Sequence, residues 1–332
     1  MRAVLPPVER DRDPRPRLGD LPDPVPGSGE VVVAVEAAGL NHADLMQMQG
    51  FYPPPRGESP VPGLECAGRI LELGEGVNPA GPWQPGARVM ALLGGGGHGE
   101  RVAIPVGQLL PLPASFSYLQ GAALPEAGLT AWTNLVAEGG LQAGETVLIT
   151  GATGGMGTMF VQLAHALGAR VLAAGRSRER LEPLSALGAD GLLLLGNDLP
   201  ERVREQNEGH GVDLVIDLVG GDGISTRLAA LRERGRLVLV GLLAGRKVEV
   251  DLGDLLSRRL RLLGSVLRAR PREEKARLVQ GFADFALPRL ADGRLRPLVD
   301  RVFPFEDVAG AYAALAEGGA AGKIVLAVGG AG

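Results

Sequence analysis

The spacing of apolar and polar positions divides the chain into two textures. Up to about residue 120, short β-like runs are broken by Pro and Gly. Residues 31–35, 88–92 and 101–104 read as strands, and 52–56, 94–99 and 111–113 as turns or loops. This is the pattern of a small, mostly β domain. From near Leu141 the texture changes, and apolar runs alternate with amphipathic ones. Strands are expected at 146–150, 170–174, 192–195, 212–219, 236–240 and 260–266, and helices at 155–167, 177–187 and 198–207. On the first of these helices Met156, Met159, Phe160, Leu163, Ala164 and Leu167 form an i, i+3, i+4 stripe. Near-continuous apolar strands require cover on both sheet faces, which is the signature of a parallel sheet in an α/β fold. The tail, from about Arg272, reads as a helix, a strand at 301–305, a helix at 306–317 and a last strand at 323–328, and matches neither texture cleanly.

The strand at 146–150 runs into Thr150-Gly151-Ala152-Thr153-Gly154-Gly155-Met156-Gly157, and a helix follows. Counted from Ala152, this is a dinucleotide-binding turn with Ala in its first position. Gly154 lets the backbone approach a pyrophosphate, Gly157 permits close helix–sheet packing, and the helix N-terminus offers free N–H groups and partial positive charge. A Gly-rich turn alone says little, but the strand–turn–helix–strand context is the one the motif requires. An NAD site places Asp or Glu at the end of the second strand. Here the strand end reads Gly175-Arg176-Ser177-Arg178-Glu179-Arg180. Guanidinium binds phosphate bidentately, so NADPH is the expected cofactor, held at its 2′-phosphate by Arg176, Ser177 and Arg180; the bland alternative is a solvated arginine face. Gly220 and Gly241 follow the fourth and fifth strands, at the carboxyl ends where α/β sheets bind ligands.

Bulk properties narrow the class. At 332 residues the chain can bury a sizeable core. A net charge of -4 gives no footprint for nucleic acid. With one cysteine, Cys66, neither an intrachain disulfide nor a Cys-rich zinc site can form, which fits a reducing compartment. Charges at Glu9, Arg10, Asp11 and Arg12 follow the N-terminus and no signal-peptide core is present. The longest apolar runs, such as 237–244, fall far short of a membrane span. A cytoplasmic protein is expected.

Several strings carry a family resemblance. They are Gly39-Leu40-Asn41-His42-Ala43-Asp44-Leu45, Gly50-Phe51-Tyr52-Pro53-Pro54-Pro55 and Pro62-Gly63-Leu64-Glu65. Val89-Met90-Ala91-Leu92-Leu93-Gly94-Gly95-Gly96-Gly97, Leu124-Pro125-Glu126 and Leu129-Thr130-Ala131-Trp132 follow. After the glycine turn come Asp217-Leu218-Val219-Gly220-Gly221, Gly264-Ser265-Val266-Leu267-Arg268-Ala269-Arg270 and Gly322-Lys323-Ile324-Val325-Leu326. In this order, over essentially the whole chain, the sequence resembles the zinc-free quinone oxidoreductases of the medium-chain dehydrogenase/reductase superfamily, most of all the p53-inducible quinone oxidoreductase type. The resemblance implies a GroES-like, mostly β catalytic domain over 1–120, a Rossmann domain with a doubly wound parallel sheet over 121–270, and a C-terminal segment over 271–332 that completes the catalytic domain. It puts the active site in the interdomain cleft and implies a homodimer paired through the sixth Rossmann strand.

The resemblance also assigns residues. Asn41 and Tyr52 match polar positions beside the nicotinamide, and Thr130 a position that touches its region. Gly154, Gly155, Met156 and Gly157 match the pyrophosphate turn, and Leu242, Leu243 and Leu267 segments over the nicotinamide. Arg268 and Lys323 are candidates for the cofactor's phosphate or ribose. Where the family often has a Tyr after the third strand, this chain has Leu195. Zinc-dependent members carry a Cys, a Gly-His-Glu motif and a four-Cys lobe; here Asn41 and Leu64 stand in the first two places and the lobe is missing, so no metal is expected. A quinone accepts hydride without Lewis-acid help, and Tyr52 is the expected donor to the charge that develops on oxygen, with Asn41 orienting. Asp44 reads as a helix cap. The expected activity is NADPH-dependent reduction of a quinone or another electrophilic acceptor. An enoyl or alkenal double-bond reductase, or a non-catalytic NADPH-binding protein of the crystallin kind, would share the same motifs.

Overall fold

The computed structural model describes residues 1–6 and 15–329; the charged run Glu9–Arg12 lies outside them. The chain forms two compact units, one of residues 1–129 with 268–332, the other of residues 130–267.

The first unit is built on a seven-stranded sheet. Its central strand, Glu30–Gly39, is antiparallel to Glu65–Leu73 on one side and to the last strand of the chain, Lys323–Ala327, on the other. Val299–Pro304 pairs in parallel with that last strand. The ambiguous tail is therefore part of this sheet. Period-two alternation on the central strand sends Val31, Val33 and Val35 into one apolar cluster with Cys66, Ile70, Val89, Val102 and Ile104. A second cluster joins Val4, Leu40 and Met48 to Phe305, Val308, Tyr312, Ile324 and Leu326.

The second unit holds a six-stranded, all-parallel sheet. Numbered by appearance, its strands are Thr146–Thr150, Arg170–Gly175, Gly191–Leu194, Val212–Asp217, Leu231–Leu239 and Arg261–Gly264, arranged 3-2-1-4-5-6. This is the doubly wound order of dinucleotide-binding folds. Leu148, Leu172, Val212, Val215 and Leu237 pack in its core against Leu199, Val203, Ile224 and Leu228.

Some boundaries differ from the sequence pattern for physical reasons. The helix expected over 177–187 is one α-turn, Arg178–Leu181, followed by a 3-10 segment, Glu182–Leu187. Pro183 lacks the N–H that a continuing α-helix needs, and Gly188 ends the segment left-handed at φ 102. The strand expected to reach Val219 stops at Asp217, whose carboxylate turns the next residues out of the sheet.

Candidate active site

In the second unit the strand order reverses between Thr146–Thr150 and Val212–Asp217, with Thr150 directly opposite Asp217. At such a reversal the loops leaving the carboxyl ends part, and the crevice between them is the ligand site of open parallel sheets. From Thr150 the chain turns through the glycines into the twelve-residue helix Gly155–Ala166, with Gly154 as N-cap. A Cβ on Gly154 would have no neighbour within 4 Å, so the backbone there stands open; one on Gly157 would fall 2.5 Å from the Ala152 backbone. Gly155 and Met156, in the first turn, are half-buried. These are the requirements of a phosphate cradle, and the residues fit a dinucleotide.

Asp217 organises this end of the sheet. Its Oδ1 accepts from Thr150 Oγ1 at 2.8 Å, from Val219 N at 2.9 Å and from Gly220 N at 3.2 Å. Its Oδ2 is ion-paired with buried Arg227 at 2.8 Å, and that guanidinium also donates to the Gly220 carbonyl. The Asp217 carbonyl accepts from Val240 and Gly241. One buried acid thus ties together the turns after the first, fourth and fifth strands. Gly220 sits at φ 68, and a Cβ there would meet the Gly241 carbonyl at 2.8 Å, so the two turns lie backbone against backbone. Beyond them Leu242 and Leu243 are 44% and 61% exposed. Thr130 and Leu267 are buried.

At the end of the second strand Arg176 is exposed. Ser177 caps the short helix, its Oγ accepting from Arg180 N at 3.4 Å, and Arg180 is half-buried. Arg178 is drawn away to the third strand, where it donates to the Leu192 carbonyl at 3.1 Å.

The first unit carries a separate polar cluster. Glu65, fully buried at the start of its strand, accepts from Asn41 Nδ2 at 3.0 Å and Lys323 Nζ at 2.6 Å on one oxygen, and from Glu126 N at 2.9 Å on the other. Lys323 also donates to the Asn41 side chain and the Leu40 carbonyl. Asp44, equally buried, accepts from Asn41 N at 2.8 Å and Gly63 N at 3.0 Å. Asn41 is therefore the N-cap of the helix His42–Met48 and Asp44 the acid three residues on. Arg268 is 4% exposed and donates to the carbonyls of Gly94 and Tyr52 and to the Gln47 side chain, with its guanidinium 5.1 Å from the centre of the Tyr52 ring. The structure thus turns Lys323 and Arg268 inward within this unit, Lys323 as the counter-ion of Glu65 and Arg268 as the tether of the Tyr52 segment.

Burial, with the charge of Glu126, raises the Tyr52 phenol above its ordinary value. Burial first, then the Glu65 carboxylate, pushes Glu126 up to about 8. Cys66 points from the same strand as Glu65 into the apolar core, and burial pushes its thiol up to about 12. Glu65 and Cys66 face opposite ways, as adjacent strand residues do. Among the described residues no group of three or more His, Cys, Asp or Glu could hold a metal ion. An ammonium already occupies the Glu65 carboxylate, so the donor set does not fit zinc.

Residues 27–114 match the alcohol dehydrogenase GroES-like domain, and residues 155–283 the family described as zinc-binding dehydrogenase. The quinone oxidoreductase-like protein 2 homolog of Nematostella vectensis is 30% identical over 90% of this chain and 82% of its own length. The acryloyl-coenzyme A reductase of Metallosphaera sedula is 31% identical over 92% of this chain and 95% of its own. Among solved structures, the quinone oxidoreductase from Thermus thermophilus, studied also in complex with NADPH, superposes with a TM-score of 0.82 at 37% identity, covering 99% of this chain and 100% of that one.

Proposed function

The chain belongs to the medium-chain dehydrogenase/reductase superfamily, among its quinone oxidoreductase-like members, and on that premise we propose that it is a zinc-independent, NADPH-dependent quinone reductase. The observation that carries the reading is the phosphate cradle at the sheet reversal, Gly154 to Gly157, braced by Asp217. Gly154, Gly155, Met156 and Gly157 would hold the pyrophosphate, and Gly220, Gly241, Leu242, Leu243, Thr130 and Leu267 the rest of the dinucleotide. Exposed Arg176, with Ser177 and Arg180, would meet the 2′-phosphate. A nicotinamide bound there supplies hydride. In the first unit Asn41 is fixed between Glu65 and Lys323, and the Tyr52 phenol stays protonated and able to donate to an acceptor. The Lys323–Glu65 ion pair supports a reaction without metal, because an ammonium already occupies that carboxylate.

A homodimer is supported by the edge strand Arg261–Gly264 and the apolar side chains around it. Leu252 and Leu256 are 69% and 79% exposed, and Leu262 and Val266 more than 40%. No helix among the described residues is long and apolar enough to cross a membrane.

A second reading, reduction of an activated carbon–carbon double bond, is favoured by the similarity to acryloyl-coenzyme A reductase. Parallel turnover of 1,2-naphthoquinone and a 2-alkenal with NADPH separates the two. The expected result is faster oxidation of NADPH with the quinone; turnover of the alkenal alone would replace the first reading by the second.

A further inference from the structure

The second unit buries an arginine to which neither the glycine motif nor the family resemblance assigns a role. Arg227 lies on the helix Ile224–Ala229 and is 5% exposed. Its helix neighbours Ile224 and Leu228 pack into the apolar core of the sheet. An apolar side chain would pack there without the cost of burying a guanidinium. Pairing Arg227 with the fully buried Asp217 does not turn that cost into a gain, since desolvation of both charges offsets their attraction. What the pair fixes is geometry.

One nitrogen, Arg227 Nη1, donates to Asp217 Oδ2 at 2.8 Å and to the Gly220 carbonyl at 2.9 Å. It bridges the last residue of the fourth strand and the turn that follows it. A Cβ on Gly223 would meet Nη2 at 2.7 Å, so the guanidinium lies close against that backbone. The turn it fixes touches both neighbouring turns. A Cβ on Gly151, at the start of the cradle, would lie 3.2 Å from Leu218 Cβ and Val219 Cγ2. One on Gly221 would lie 2.5 Å from the Ala244 carbonyl oxygen, as one on Gly220 meets that of Gly241. Gly220 and Gly221 both stand at φ 68. Glycine has the widest conformational freedom of any residue, so the shape of this turn must be held from outside it. Asp217 and Arg227 hold it.

We propose that Arg227 is a positioning residue for the dinucleotide, holding the turn 218–221 where it packs against both the cradle and the turn 241–244. The assignment rests on the reading of this crevice as the NADPH site. Arg227 is no phosphate ligand, because its charge is spent on Asp217 and it is buried. It acts through Gly220. A turn already in place binds without an ordering cost, whereas a loose glycine turn must be ordered by the ligand itself. The first strand separates this turn from Arg176 at the end of the second. The effect therefore falls on the part of the cofactor that NADPH and NADH share.

The test compares the wild type, Arg227→Met and Arg227→Met/Asp217→Asn. It measures urea unfolding, and the Kd of NADPH and of NADH by quenching of protein fluorescence. Arg227→Met strands a buried carboxylate and should be the least stable of the three. The double variant removes that charge and keeps an oxygen for Thr150, Val219 and Gly220, so it should regain most of the stability. Its affinity should stay low, on the order of 10-fold below the wild type and by the same factor for NADPH and NADH. An arginine that only supported the fold would have stability and affinity return together. That result, a loss confined to NADPH, or a double variant as unstable as the single one overturns this assignment alone. A wild type that binds neither dinucleotide overturns the reading of the site, and the assignment with it.

Discussion

Lys323 and Glu65 show how little a residue's identity reveals without its surroundings. Lys323 near the end of the chain looks from sequence like a phosphate ligand. In the structure it is buried at 5% exposure, 2.6 Å from Glu65, and bound to Asn41 and Leu40. Removing one member of a buried ion pair leaves the other uncompensated, which costs about 3–5 kcal/mol. Lys323→Met should therefore lower the stability measured by urea unfolding by about that much. The double variant Lys323→Met/Glu65→Gln should recover most of the loss, because it removes the stranded charge. A double variant as unstable as the single one would show that Lys323 acts through packing of its stem instead. The same dependence on surroundings makes Glu126 illegible in the sequence. Its environment is assembled from residues 44, 65, 268 and 323, which no local pattern connects. Asn41 and Tyr52 are marked by the family likeness; their partners, Glu65 for one and Arg268 for the other, come only from the fold.

Among elements, the turn from Thr150 into the helix Gly155–Ala166 is the most legible part of the chain. It couples a fully buried strand to a glycine cluster and an amphipathic stripe, and the three patterns in succession have one local meaning. Its counterpart after Asp217 is not legible. The apolar run from Leu214 to Val219 gives no sign that an acid within it will end the strand and collect Thr150, Val219, Gly220 and Arg227. The strand Glu65–Leu73 escapes the sequence pattern because its outer half, with Arg69, Leu71 and Glu72 exposed, lacks a clean apolar alternation. The glycine turn makes a sharp prediction. A methyl group at position 157 would lie 2.5 Å from the Ala152 backbone, and the turn must move to admit it. Gly157→Ala should weaken NADPH binding, read by quenching of protein fluorescence, about 10-fold or more, equivalent to about 1.4 kcal/mol. Unchanged affinity would mean that the cofactor does not use this cradle.

For the whole molecule, the two textures of the sequence correspond to two units with different sheets, and the sheet of the first is completed by the end of the chain. That closure is invisible to periodicity, which has no means of bringing Lys323–Ala327 beside Glu30–Gly39; only the likeness to a known family suggests it. Association is the other property of this scale. The strand Arg261–Gly264 stands at the edge of its sheet and Leu256, on the helix that precedes it, is 79% exposed, an arrangement that invites a second copy. Leu256→Glu should convert a dimer into a monomer in sedimentation-velocity runs while leaving NADPH affinity unaltered. A wild type that sediments as a monomer would remove the homodimer.

The proposed use of NADPH rests on both the cradle at the sheet reversal and the arginines at the end of the second strand. The most direct test of that pairing is the comparison of kcat/KM for NADPH and NADH with 1,2-naphthoquinone in one preparation, alongside Arg176→Ala. NADPH should be preferred by about 10-fold or more, as a single charge-assisted phosphate contact allows, and the preference should shrink in the variant. Equal efficiency with both cofactors, or a preference untouched by Arg176→Ala, would contradict it.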